Sequence, residues 1–411
     1  MLSSRAIRTQ APPISWLMQQ AVEVEGLISL AAGLVDRASL PCARVQALVN
    51  EILADPEAGR DALQYGTTPG HHALRDLVRA RYCAGTAYDD ADQVVVCTGS
   101  QQGLELLGEA IYDPGDIVIV EDPTYFVYTG VLESFGCDIR GVASDADGMQ
   151  VDQLALLLDQ LRASGELARL KAIYVVSYHQ NPGGWTLSLE RRQALMALVH
   201  GLPEQVLLIE DAAYYELAFE PDQRPPLMAT MDASGDRVAS FLTASKPFAP
   251  GLKTGFMVVP PRLVAAVVHL KGNHDFGSNN FAHHILARAL ATGVFDEQVA
   301  DLRAVYQRKA QILSEALHRE LPAGSAQWAE SSGGLYLWLQ VPGVDTGPDG
   351  ALFKACLEQR VLYVPGCYAF APEPGRSKPS DRLRLTYGVA SDEELVEGAR
   401  RFAAALLSLG V

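Results

Sequence analysis

Short apolar runs alternate with amphipathic helical stretches through the middle of the chain, and this alternation limits the possible folds more than any other feature. The runs are 93–97, 117–121, 172–178, 205–211, 237–243 and 255–259. Helical patterns lie between them at 103–111, 125–135, 151–164 and 188–200. Strands separated by helices predict a largely parallel, doubly wound sheet. In such a sheet, functional residues collect at the carboxyl ends of the strands. The last third differs. Residues 295–321 predict one long helix, followed by strands at 334–339 and 383–387 and a helix at 392–407. That order suggests a smaller α+β unit, with Pro/Gly-marked loops at 342–350 and 372–379. No internal repeat or low-complexity segment is visible.

At 411 residues the chain is long enough for two or three structural units. Its net charge of −16 is spread along the sequence, which argues against a general nucleic-acid or membrane surface. No run of eighteen apolar residues predicts a membrane span. Residues 1–13 lack the apolar core of a secretory signal. The six cysteines show no paired spacing, so neither a disulfide framework nor a zinc site is expected, and a reducing cytoplasm is. The histidine pairs His71-His72 and His283-His284 are adjacent in sequence. Such neighbours do not share a helix face, so no metal site is expected there.

Five segments carry chemically pointed residues. Lys246 follows the run 237–243, among hydroxyls, glycines and the second cation Lys253. An amine there suits a Schiff-base lysine held beside a phosphate, as pyridoxal phosphate (PLP) chemistry requires. The chain has only seven lysines, so candidates are few. The same segment is equally a surface lysine beside a Gly/Pro turn. The turn Thr98-Gly99-Ser100-Gln101-Gln102 opens a helix whose free N–H groups suit a phosphate, or it is an ordinary Ser cap. Tyr125, after Asp122-Pro123-Thr124, could stack on a planar ring or simply pack. Asn181, in Gln180-Asn181-Pro182, could donate to a phenolate oxygen or only form an Asn-Pro turn. Asp211 at a buried strand end needs a cation, and a protonated pyridine nitrogen would be one. Alternatively, Asp211 caps the next helix. Tyr214 could donate to a ring oxygen.

Taken in order, these motifs resemble the class I/II (aspartate aminotransferase) superfamily of fold-type I PLP-dependent enzymes. The ordered set is Tyr65-Gly66, Gly70, Leu74-Arg75, Gly99-Ser100-Gln101-Gln102, Asp122-Pro123-Thr124-Tyr125, Gln180-Asn181-Pro182, Asp211, Tyr214, Ser245-Lys246 and Leu383-Arg384-Leu385. It covers nearly the whole chain. The branch it most resembles holds 2-aminoadipate and kynurenine/aromatic aminotransferases and the aminotransferase-like domains of some transcription regulators.

The resemblance implies an α/β fold. A large PLP-binding domain (residues 61–290) would hold a mostly parallel seven-stranded sheet flanked by helices. A smaller α+β domain would combine the N-terminal segment (1–60) with the C-terminal third (291–411). It implies an L-amino acid and a 2-oxo acid as ping-pong substrates, with Lys246 as Schiff base and proton shuttle. Asp211 would hold the pyridine N–H, Asn181 and Tyr214 the ring oxygen, and Tyr125 would stack on the ring. Phosphate would be held by the Ser100, Gln101 and Gln102 amides, Thr243, Ser245, Lys253 and, in a homodimer, Tyr65 of the neighbouring chain. Arg384, with Asn181, would bind the substrate carboxylate, and Gly33 would allow close approach. The family often has a cis Asn181–Pro182 bond. Other implied activities are a β-lyase, a cyclase, an aminocyclopropane-carboxylate synthase-like enzyme or a non-catalytic ligand sensor.

Three positions depart from the family pattern. Lys253 replaces a usual arginine. Gly183 replaces a usual threonine, which would loosen its loop. His179 replaces a frequently apolar residue, and is either a pH-sensitive contact near the cofactor or a surface histidine. The apolar stretch 13–18 lacks the arginine that relatives with acidic substrates often carry, so it leans toward an apolar or aromatic donor.

Overall fold

The computed structural model describes residues 1–373 and 375–410; Pro374, inside the loop expected at 372–379, and Val411 lie outside them. In chain order the strands are β1 (Ile28–Ser29), β2 (Val94–Cys97), β3 (Ile117–Asp122), β4 (Asp138–Asp145), β5 (Gly148–Met149), β6 (Leu170–Val176) and β7 (Leu207–Asp211). They continue with β8 (Val238–Thr243), β9 (Gly255–Val258), β10 (Tyr336–Gln340), β11 (Val361–Leu362), β12 (Val364–Pro365) and β13 (Arg382–Thr386).

The large sheet has the order β2-β9-β8-β7-β6-β3-β4-β5. Pairs β3–β4, β3–β6, β6–β7 and β7–β8 are parallel, while β9 runs antiparallel to both β2 and β8. The sheet therefore has eight strands where seven are expected. The extra one is β5, a two-residue strand that folds back on Ser144 and Asp145. It is too short to leave an apolar pattern in the sequence. β4 was not expected either, because its residues are half-exposed and mixed with polar ones.

Both faces of this sheet are covered, which is why its inner strands read as continuous apolar runs. Val95, Val118, Tyr174, Ile209 and Phe241 point into one core. Val96, Ile119, Val175, Leu208 and Leu242 point into the other. The first core continues into Leu335, Leu337, Leu383 and Leu385 of the C-terminal third. There β10, β13 and β12 form an antiparallel sheet.

The N-terminal segment is stitched to that third. β1 pairs in parallel with β11, and the Leu30 carbonyl accepts from the Thr386 N–H at 2.8 Å. Buried Lys309, on the helix Val294–Glu320, donates to Asp36 at 2.6 Å and to the Gly388 carbonyl at 3.0 Å. Among the described residues no helix is long and apolar enough to cross a membrane.

Candidate active site

Strands β2, β3, β6, β7 and β8 all deliver their carboxyl ends to one edge of the sheet, and β9 starts at that edge. A cavity of about 290 Å³ opens there. Its walls include Ser100, Gln101, Tyr125, Asn181, Asp211, Tyr214, Thr243, Ser245, Lys246 and Lys253. Ten of the expected site residues thus meet, although they are spread over more than 150 positions of sequence.

At one end lies the N-terminus of the helix Ser100–Ile111. No side chain caps it, and its cap residue Gly99 has φ +79°. The first-turn N–H groups and the dipole are left to face an anion. Gly255 packs against the Gly99 and Ser100 backbone so closely that a Cβ would overlap it. The Gln102 side chain does not reach the cavity. It accepts from the Thr98 N–H at 2.7 Å and donates to Asp275 at 3.1 Å, so only its backbone could serve an anion. Lys253 is exposed at the mouth, with φ +50°.

Asp211 is buried at the end of β7. The Tyr174 hydroxyl donates to it at 3.0 Å and the Ala213 N–H at 3.1 Å. Burial pushes its pKa up from 3.8 to about 6, against the lowering effect of these two bonds. Tyr174 was not expected as a partner. It sits on β6, and only the register pairing Val176 with Asp211 brings it alongside.

Arg384 is 2% exposed on β13. It donates to the Asn181 side-chain oxygen at 2.6 Å and to the Ala31 carbonyl at 2.7 Å. Its Nε has no partner, and no carboxylate pairs with it among the described residues. Since Asn181 accepts through its oxygen, its amide N–H groups are free to face the cavity. Lys246 Nζ donates to the Gly33 carbonyl at 2.7 Å, which brings Gly33 to the site. The Asn181–Pro182 bond is cis, as expected, and so is Asp122–Pro123.

Tyr65 does not enter this cavity. It is 83% exposed and touches Phe276 edge-on, with centroids 6.0 Å apart. His179 is neither a cavity residue nor a surface one. It is 4% exposed, and burial pushes its pKa down to about 3, so it stays neutral. Gly333 and Gly334 pack so tightly against it that a Cβ at either would overlap its side chain. At Gly183, a Cβ would overlap the Trp185 ring, so the loop is tightly filled and not loosened as the sequence suggested. His71 packs against His284, with ring centroids 4.1 Å apart and the planes tilted by 36°. Among the described residues no group of three His, Cys, Asp or Glu is arranged to hold a metal.

Comparison with known proteins adds independent findings. The family model for aminotransferase class I and II matches residues 25–402. Aromatic-amino-acid aminotransferase 1 of Thermococcus litoralis is 30% identical over 406 residues, covering 98% of this chain and 93% of that protein. The solved kynurenine aminotransferase of Pyrococcus horikoshii, in complex with PMP, has a TM-score of 0.90 at 28% identity, covering 100% of this chain and 97% of that one. The α-aminoadipate aminotransferase of Thermus thermophilus, complexed with N-(5'-phosphopyridoxyl)-L-leucine, has a TM-score of 0.86 at 30% identity, covering 99% and 97%.

Proposed function

The chain belongs to the class I and II aminotransferases and is a PLP-dependent transaminase, and from that premise we propose which residues carry the reaction. The observation behind the assignment is a pair of opposite, uncompensated buried charges at one cavity. Asp211 lacks a cation and Arg384 lacks an anion. Buried charges without partners are costly. A cofactor with a protonatable ring nitrogen and a substrate with a carboxylate would supply one partner each, so the residues fit the group.

Bound PLP supplies a carbonyl that condenses with amines and a ring that withdraws electrons from the substrate. Lys246 holds the cofactor and moves the proton to and from the substrate carbon in both halves of a ping-pong cycle. Asp211 would keep the ring nitrogen protonated. Asn181 and Tyr214 would donate to the ring oxygen, and Tyr125 would stack on the ring. The backbone N–H groups of Ser100, Gln101 and Gln102, with Thr243, Ser245 and Lys253, bind the phosphate. Arg384 takes the substrate carboxylate in a bidentate pair, fixing the scissile bond relative to the ring.

We further assign residues 61–290 to a large domain, and 1–60 with 291–411 to a small one. A homodimer in which Tyr65 reaches the neighbour's phosphate accounts for the exposure of that residue. Six free cysteines suit a reducing cytoplasm. For the donor, we favour an apolar or aromatic amino acid. The helix Pro13–Glu23 carries no arginine. A second cavity, of about 600 Å³, shares Gln101 with the first; Phe126, Val131, Tyr368 and Phe370 line part of it, and Arg5, Glu105 and Lys378 another part.

The test is direct. The purified protein should absorb in the near-visible and lose that band on borohydride treatment. Lys246→Ala should abolish turnover while keeping the fold. A panel of amino donors with 2-oxoglutarate or pyruvate should show acceptor-dependent product with apolar or aromatic donors. Acceptor-independent release of ammonia would instead mark a lyase.

A further inference from the structure

Tyr336 touches three parts of the site although it does not line the cavity itself. It lies on β10, 3% exposed. β10 pairs with β13 so that Trp338 faces Arg384, which puts Tyr336 diagonally next to Arg384 on the same face. The Arg384 guanidinium sits 4.3 Å from the Tyr336 ring centroid. The Tyr336 hydroxyl is 2.9 Å from the Tyr214 hydroxyl, and the two rings meet at 81°. Gly33 makes room for that hydroxyl, since a Cβ there would overlap it.

The two hydroxyls have no other hydrogen-bond partner among the described residues. They own two hydrogens, and one is used between them. The other belongs to whichever tyrosine accepts. Tyr214 lines the cavity and Tyr336 does not. Only when Tyr336 donates is the Tyr214 hydrogen left for a group in the cavity. Arg384 favours that direction, because a cation over the ring makes the Tyr336 hydroxyl a better donor. A hydroxyl that accepts a bond also becomes a stronger donor itself.

We propose that Tyr336 is a positioning residue that orients and strengthens the hydrogen bond from Tyr214 to the ring oxygen of the cofactor. This rests on the assignment of Tyr214 above. The consequence is spectroscopic. A hydrogen bond to the ring oxygen withdraws charge from it. Its attraction for the proton on the neighbouring Schiff-base nitrogen then falls. Weakening that bond therefore raises the pH at which the chromophore loses its proton.

The experiment titrates the near-visible band of the holoenzyme in wild type, Tyr336→Phe, Tyr214→Phe and the double variant. Tyr336→Phe should raise the midpoint by about half a unit, and Tyr214→Phe by more. In the Tyr214→Phe background, Tyr336→Phe should add less than about 0.2 unit, because the relay is already cut. The KM for the amino donor should stay within about two-fold in Tyr336→Phe, since the ring under Arg384 remains. The proposal falls if Tyr336→Phe leaves the midpoint unmoved while Tyr214→Phe shifts it, or if the shift is equal in both backgrounds. If Tyr214→Phe itself has no effect, the assignment of Tyr214 fails and takes this inference with it.

Discussion

Asp211 is a buried carboxyl whose only side-chain and backbone partners are neutral donors, and its titration gives the clearest handle on the site. Its raised pKa means that the cofactor-free fold prefers the protonated form. That preference stabilises the fold fully below about pH 3.8 and is lost as the pH rises through about 6. Asp211→Asn cannot titrate. Between pH 4 and 7, the cofactor-free Asp211→Asn protein should gain on wild type by about 2 kcal/mol, read as a growing difference in Tm. With cofactor, the same change should cut turnover by orders of magnitude, since an amide cannot keep the pyridine nitrogen protonated. A Tm difference that stays flat across this range would contradict the buried charge. At the other end of the cavity, Lys253 keeps a cation but lacks the forked geometry of arginine. Lys253→Arg should slow cofactor release about three-fold on dilution. Unchanged release would place Lys253 away from the phosphate.

At the scale of elements, the loop after β6 is fitted around two packing constraints: the Trp185 ring over Gly183, and His179 under Gly333 and Gly334. Gly183→Ala should therefore destabilise the protein by about 1–3 kcal/mol through overpacking. Trp185→Leu in the same chain should recover part of that loss. Additive losses in the double variant, measured by denaturant unfolding, would show that the two residues do not share the space. The sequence could not reveal this, because a small residue after Asn-Pro looks like freedom when its neighbour's ring is unplaced. The same reason hid Tyr174 and Tyr336. Each sits in an expected strand, but its partner is fixed by register across strands, β6 on β7 and β10 on β13. What was legible were the strand ends. Lys246, Asp211, Asn181, Tyr125 and Ser100 each follow an apolar run, and a parallel sheet puts all such ends on one edge. β4 and β5 leave no apolar run in the sequence, because one is half-exposed and the other is two residues long.

The whole molecule leaves one expected site residue apart. Tyr65 lies outside its own chain's cavity, exposed beside Leu63 and Phe276, which are themselves 69% and 63% exposed. Three large apolar side chains open to solvent in one region suit a protein interface better than a free surface. In a two-fold dimer the exchange is reciprocal, so each Tyr65 would complete the partner's phosphate site. Such an interface would be obligate and large, above about 2,000 Å². The net charge of −16 does not oppose this, because Lys253 and the helix N-terminus would make the proposed phosphate site locally positive. Mixing two inactive variants provides the test. Tyr65→Ala keeps Lys246 but lacks the borrowed hydroxyl, and Lys246→Ala keeps the hydroxyl but lacks the amine. In a mixed dimer, the chain with Lys246 receives Tyr65 from its partner, so one intact site forms. With random assortment about half of the dimers are mixed, each with one site of two, so activity should recover to about a quarter of wild type. Recovery requires that the Tyr65 variant still loads cofactor, which its near-visible band reports before mixing. A protein that sediments as an active monomer at assay concentration would end the shared-site proposal.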